Sequence, residues 1–309
     1  MSEPNMIMPP RVQIQTKAGC NGRCVFCPNK DIIEAGLPHG KMSEELFRKI
    51  IDELAEAPPR RIGLYMMNEP LSDDRLPEFV RYVAERVPST RSQVISNGVF
   101  LDEACAEALM DAGLRELKVS LQSLDSETNR QLMGYGSEEV IENCIAAQRI
   151  FKQKRVKDFQ FRVSMVVTRL NEAEIAKARV FWRKHGIRLV TSALENRGGN
   201  IREAPTLNPH DMASMGDCIR PSRDLMVLFN GDVPLCCVDW HRTTILGNLA
   251  EQSIKEVWNG PTVRAIREGL KTGDRQGLPP ICFRCTQSAA PDHHRRGLKG
   301  VLSRMFGSR

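Results

Sequence analysis

No stretch of the 309-residue chain approaches the run of about 18 apolar residues that a membrane-spanning helix requires. The N-terminus, MSEPNMIMPP, lacks the charged segment and apolar core of a secretory signal. Stable membrane insertion is therefore not expected, and the expected location is the cytoplasm. Aromatic residues are sparse: three Tyr and three Trp, with no basic interleaving of the kind that binds single-stranded nucleic acid. The net charge of +6 is mild, and Lys and Arg are spread along the chain rather than gathered into a stripe. Nucleic acid is accordingly not an expected partner. Low-complexity segments are missing too.

What is present is ordinary globular composition, 41% hydrophobic and 27% charged. That suits one large α/β domain or a main domain with a small appendage. Ten cysteines are many for such a chain. Disulfide frameworks belong to small secreted domains, so clustered cysteines in this chain point to metal instead.

From Arg11 to about Asn196, short β-branched runs alternate with amphipathic helical stretches. The strand candidates are residues 11–16, 61–67, 92–96, 116–121, 159–168 and 187–194, and helix candidates include 43–57, 76–87 and 138–155. In the first helix Leu46, Ile50, Ile51 and Leu54 recur at helical spacing behind a Ser43 cap. Six β-then-α units imply parallel strands with right-handed crossovers, and ligands then bind beyond the carboxyl ends of the strands. After residue 200 the pattern changes. GGNIREAPTLNPHD reads as a linker, DLMVLFNGDVPLCC as a hairpin around Asn230-Gly231-Asp232, and SIKEVWNGPTVRAIREGL as a helix. The expected organisation is a main domain over 1–205, a small metal-held domain over 206–290, and a basic tail over 291–309.

CNGRCVFC sets Cys20, Cys24 and Cys27 directly after the first strand, where this architecture places its active site. Thiolates favour iron–sulfur clusters or zinc. A zinc site completed by His39 or a distant residue is one reading. The other is a four-iron cluster with one iron left open to a chelating ligand.

The C-x3-C-x2-C spacing, with aromatic Phe26 beside Cys27, resembles the signature of the radical S-adenosylmethionine (radical SAM) enzymes. The resemblance implies a partial (β/α)6 barrel and a 4Fe–4S cluster on Cys20, Cys24 and Cys27. S-adenosylmethionine (SAM) would chelate the open iron, with Phe26 near its adenine, and its cleavage would give a 5′-deoxyadenosyl radical. YMMNEP stands where the family carries Gly-Gly-Glu-Pro: Glu69 and Pro70 match, while Met67 and Asn68 replace the glycines. ISNG resembles the family's Thr-Asn-Gly and puts Asn97 near the ribose. VSLQS resembles another family segment and turns Ser120 and Gln122 to the cofactor. On the fifth strand Arg162 and Ser164 share a face, the Arg suited to a carboxylate. Glu195, Asn196 and Arg197 end the sixth strand at the same rim.

Cys218, Cys236, Cys282 and Cys285 form a second set, suited on composition to structural zinc or to a four-iron cluster. The surrounding segments resemble the SPASM or twitch extension of radical SAM enzymes. That resemblance implies one auxiliary 4Fe–4S cluster, closed by four protein thiolates, with Cys237 an alternative to Cys236. Cys105 and Cys144 fall in helix candidates and read as small core residues.

The functional expectation is a radical SAM oxidoreductase that abstracts a substrate hydrogen. It would oxidise or otherwise modify a sugar, aminocyclitol or nucleoside-type small molecule, with the auxiliary cluster as electron acceptor. A flavodoxin or ferredoxin would supply electrons. The alternative is a maturase of a ribosomally made peptide, disfavoured because only ten residues precede the first strand. A non-catalytic zinc-binding module is the remote alternative.

Overall fold

The computed structural model describes residues 8–209, 218–272 and 277–285. Seven parallel strands form one sheet in the order β6-β5-β4-β3-β2-β1-β7. They are β1 (Arg11–Ile14), β2 (Arg61–Gly63), β3 (Arg91–Ser96), β4 (Glu116–Ser120), β5 (Gln160–Val167), β6 (Arg188–Ala193) and β7 (Asp224–Val227). β6 and β7 are the two edges and do not pair, so the sheet is an open, partial barrel. The first six follow chain order, as right-handed βα units require.

Alternation along the strands divides the sheet into two chemistries. Val12, Ile14, Ile62, Leu64, Val94, Leu117, Val119, Val163 and Leu189 point outward and join one continuous core. Against them pack Phe47, Ile50, Ile51 and Leu54 of helix Glu44–Glu56, Val80 and Val83 of Leu76–Arg86, and Cys144 and Phe151 of Glu138–Lys154. Each such aliphatic or aromatic side chain contributes about 1.5–3 kcal/mol when fully buried. The alternate positions are polar: Arg11 and Gln13, Arg61, Gln93, Glu116, Lys118 and Ser120, Arg162 and Ser164. These line the inner face. Ser43 caps its helix by accepting from the Leu46 N–H at 3.1 Å, and Asp102 and Asp125 cap theirs in the same way.

The C-terminal region does not stand apart from the sheet. β7 lies parallel to β1 with Arg11 opposite Asp224, so the barrel has a seventh strand beyond the six expected from the sequence. The expected turn at Asn230-Gly231-Asp232 is present, with Gly231 at φ +89°. Its flanking strands, however, enter different sheets. β8 (Asp232–Pro234) pairs with β9 (Ile245–Asn248), not with β7. The single helix expected around 253–270 is two, Ile254–Trp258 and Pro261–Thr272, separated at Asn259-Gly260. The linker reading is corrected over 198–209: Ile201 and Ala204 are buried against Phe26. The tail 291–309 lies outside the described residues. Among those described, no helix is long and apolar enough to cross a membrane.

Candidate active site

The cysteine loop leaves the carboxyl end of β1 and is fixed on three sides. Toward β2, Gly19 bridges Asn68, and the Glu69 N–H donates to the Gly19 carbonyl at 2.9 Å. Toward the helix Ser126–Met133, the Arg23 and Val25 N–H groups donate to Met133 and Leu132 at 2.9 and 3.0 Å. Underneath, Phe26 packs with Leu132, Met133, Leu194 and Ile201. The Cys20 and Cys24 sulfurs both face Gly22, each 3.6 Å from where a Cβ there would stand. Cys27 lies close enough to act electrostatically on both.

Burial pushes the Cys20 thiol up to about 11 and raises Cys24 and Cys27 as well. Buried thiols of this kind lose their protons only to a cation. Among the described residues no three His, Cys, Asp or Glu side chains converge tightly enough for a single metal ion. Thiolates at the corners of a four-iron cube stand farther apart, and three soft donors without a fourth suit that group.

Glu69 is 1% exposed, and its carboxylate accepts from the Leu71 N–H (3.0 Å), Ser96 Oγ (2.7 Å) and the Asn97 N–H (2.7 Å). Burial raises its carboxyl, and the three donors pull it partly back. It therefore ties the β2 loop to the β3 loop. Met67 adopts φ +49°, the left-handed conformation that glycine takes without strain. Asn68 shapes the same turn, accepting from the Met66 N–H at 2.8 Å and donating to Lys17 O at 2.8 Å. Asn97 donates to Asn21 Oδ1 at 2.6 Å, inside the cysteine loop, and lies 3.8 Å from Cys20 Sγ.

The second cysteine set sits beyond β7. Cys282 acts electrostatically on the buried Cys236, and Cys218 and Cys285 act on Cys282. Cys237 acts on Cys236 and packs against the same cluster, but it has further partners. Its sulfur accepts from Arg220 Nη1 at 3.1 Å, acts on Tyr65, and packs with Met66, Met226 and Leu228 at the sheet. Between the two sets runs the segment after β6. Glu195 lies 4.0 Å from Arg220, and the Arg197 guanidinium acts on Cys24 and Cys27. Asn196 donates to Arg284 O at 2.6 Å, and Asn200 to Val238 O at 2.8 Å.

Residues 14–179, more than half of the chain, match the family model described as the radical SAM superfamily. The chain belongs to the radical SAM superfamily. Residues 218–286 match the SPASM model, an iron–sulfur cluster-binding domain. The resemblance carried by CNGRCVFC and by the C-terminal cysteines is thus borne out. So is the expectation of SAM, its 4Fe–4S cluster and a further iron–sulfur centre as cofactors. A curated relative is the S-adenosyl-L-methionine-dependent 2-deoxy-scyllo-inosamine dehydrogenase of Niallia circulans, 23% identical over 279 residues, 89% of this chain and 91% of that protein. Among solved structures, BtrN in complex with AdoMet and 2-DOIA superposes with a TM-score of 0.62 at 21% identity, covering 92% of this chain and 96% of BtrN. Streptococcus suis SuiB bound to precursor peptide SuiA gives 0.66 at 16% identity, covering 84% and 67%.

In this radical SAM enzyme the remaining expected residues lie at different depths of the inner face. Ser120, at the carboxyl end of β4, stands opposite Ser164 in the middle of β5. Gln122 is buried as a brace, accepting the Val166 N–H on Oε1 at 2.6 Å. Arg162 lies deeper, 3.4 Å from Glu116, which Arg61 also approaches at 3.3 Å. Gln93 donates to the same carboxylate at 2.8 Å, and Tyr65 donates to Gln93 at 3.0 Å. Sequence reasoning passed over Lys118, although strand alternation alone sets it on the inner face between Glu116 and Ser120. Burial holds its ammonium below the ordinary lysine value. Glu116 opposes that shift, while Arg197, Arg162 and Arg61 add to it. Tyr135, Asn21 and Arg220 were also missed, being set beside the cysteines by folds of the loops.

Proposed function

We propose that this enzyme dehydrogenates a secondary alcohol of a sugar-, aminocyclitol- or nucleoside-type small molecule bound in the barrel. The observation that carries the reading is the Glu195–Asn200 segment. Its Arg197 acts electrostatically on the SAM-side cysteines, and its Asn196 and Asn200 hydrogen-bond the C-terminal region. A substrate at that rim lies between the two cysteine sets. Cys20, Cys24 and Cys27 are the ligands of the first cluster, with Phe26, Met67, Asn68, Glu69, Asn97, Ser120 and Ser164 around the cofactor, while Gln122 braces the loop after β4 and Arg162 supports the site from below beside Glu116. Cys218, Cys236, Cys282 and Cys285 are the ligands of the second. Cys236 is preferred over Cys237 because it is buried in the cluster against which Cys282 and Cys285 pack, whereas the Cys237 sulfur already accepts from Arg220.

When bound, the first cluster and SAM supply a hydrogen-abstracting 5′-deoxyadenosyl group. Oxidation of an alcohol to a ketone removes a hydrogen atom from carbon, a proton from oxygen and one electron. Cys20, Cys24 and Cys27 would hold the centre whose cofactor supplies the hydrogen-atom acceptor, Cys218, Cys236, Cys282 and Cys285 would hold the centre that takes up the remaining electron, and the proton would be released to water. Four protein thiolates leave that centre no open position, which suits an electron acceptor rather than a substrate ligand. A flavodoxin or ferredoxin is the proposed reductant.

The test is iron and acid-labile sulfide per chain after anaerobic reconstitution, in wild type and in Cys20/Cys24/Cys27→Ala. About eight irons should fall to about four. Oxidised product should then form in step with 5′-deoxyadenosine. A wild type with only about four irons, all lost in the variant, would remove the acceptor and the dehydrogenase reading with it.

A further inference from the structure

Three N–H donors that the fold leaves unsatisfied belong to two side chains lining one small cavity. They are the indole Nε1 of Trp240 and the Nε and Nη1 of Arg242, all buried and without a hydrogen-bond partner. Trp240 is only 7% exposed. Gln15, Gly19, Met67 and the exposed His39 complete the walls that matter here. Gly19 directly precedes Cys20, and Trp240 follows Cys237 by three residues, so the cavity lies between the two cysteine sets. Gln15 continues the inner-face alternation of Arg11 and Gln13, which puts the cavity at the carboxyl end of β1.

The donors are held in place from both sides. The Asp239 N–H donates to Cys236 O at 3.1 Å, and the Arg242 N–H donates to Asp239 O at 3.0 Å. Arg242 spends one nitrogen, Nη2, on Pro38 O at 3.3 Å. Gly40, two residues on, abuts Phe229: a Cβ there would stand 2.6 Å from the ring. The neighbouring acids are already taken. Asp239 accepts from the Thr243 N–H, Thr243 Oγ1 and the Thr244 N–H at 3.0, 2.8 and 2.9 Å. Asp232 accepts from Asn230 and Asn248 at 2.6 and 2.8 Å. The Gln15 amide is spent on Met66 O at 2.9 Å and the Phe229 N–H at 3.4 Å. A water molecule accepts two hydrogen bonds and carries no charge, so it leaves one donor and the guanidinium uncompensated. An oxyanion answers all three donors and the charge together.

We propose that Trp240 and Arg242 form an oxyanion subsite between the cysteine loop and the C-terminal region, and that the substrate carries a carboxylate or phosphate whose oxygen enters it. The inference rests on the dehydrogenase reading and narrows its substrate class to acidic or phosphorylated polyols. The cavity has room for about one water-sized group, which admits an oxygen of the anion but not a sugar ring. The ring, with the carbon to be oxidised, therefore stays outside in the lumen and is anchored by its charged end. An ammonium group would face the like charge of Arg242, so the subsite does not receive the amine of an aminocyclitol.

The experiment is isothermal titration of the anaerobically reconstituted, SAM-saturated enzyme at low salt with glucose 6-phosphate, glucuronate, glucose, inorganic phosphate and acetate. The two anionic sugars should bind about tenfold or more tightly than glucose, as charge-assisted hydrogen bonds imply. Their ranking tells whether the subsite takes phosphate or carboxylate. Arg242→Gln should remove that margin while leaving glucose binding and iron content unchanged, and Arg242→Lys should restore part of it. Trp240→Phe keeps a ring but loses one donor, and should weaken the anionic sugars about threefold or more. Anionic sugars that bind no better than glucose, or a margin that survives Arg242→Gln, overturn the proposal. Inorganic phosphate or acetate binding as tightly as the sugars also overturns it, since the site would then take a bare anion. So does Arg242→Gln weakening SAM while sparing the sugars, which would give the donors to the cofactor's carboxylate. Anion binding without any oxidised product would instead remove the dehydrogenase reading and leave the subsite standing.

Discussion

Glu69 shows how one side chain can matter without touching substrate. Its three donors come from two different loops, and two of them, Ser96 Oγ and the Asn97 N–H, would be left buried and unpaired in Glu69→Ala. Each such orphan costs about 1–3 kcal/mol, so unfolding in urea under anaerobic conditions should show a loss of at least that size. SAM affinity should fall with it, since Asn97 and the Met67–Asn68 turn are positioned through the same carboxylate.

At the scale of elements, the cysteine loop depends on a close approach that only glycine allows. Gly134 has φ +88°, and a Cβ there would stand 3.0 Å from Arg23 Cβ and 3.3 Å from Arg23 N. Gly134→Ala adds a left-handed alanine, about 1–2 kcal/mol, and presses on the backbone between Cys20 and Cys24. Iron content should drop toward that of the C-terminal set alone, with far-UV circular dichroism unchanged. The strands themselves could be read from the sequence, because alternation of Val, Ile and Leu with polar residues is a signal carried within each segment. Their partners could not. DLMV in β7 is buried throughout, and nothing local says that it pairs with β1 rather than folding back across Asn230-Gly231. The stretch after Glu195 misled for a related reason. Its Gly, Pro and Asn residues suggest a linker, yet Ile201 and Ala204 were the two apolar residues that betray packing. The cysteines were legible from spacing, whereas Tyr135 comes to stand beside Gly22 and the Cys20 and Cys24 sulfurs only through the fold.

For the whole molecule, the C-terminal region is structural as well as chemical. Removing everything from Cys218 onward would strip β7 from β1 and expose the backbone donors and acceptors of the strand that leads into the cysteine loop. That fragment should be largely insoluble. A full-length Cys282/Cys285→Ala variant keeps β7 and should remain soluble with a native far-UV spectrum. Comparing the soluble fractions of the two separates loss of the strand from loss of the cluster.

The pairing of β1 with β7 also sets an order of events during synthesis. β1 waits for a neighbour encoded roughly two hundred residues later, a delay of roughly ten seconds or more at ordinary translation rates. Throughout that interval the loop bearing Cys20, Cys24 and Cys27 has no completed barrel beneath it. Iron delivered early would meet thiols on an unfinished scaffold. The sheet beneath the cysteine loop is thus complete only after β7 has been made and has paired with β1, so a lasting cluster needs both halves of the sequence.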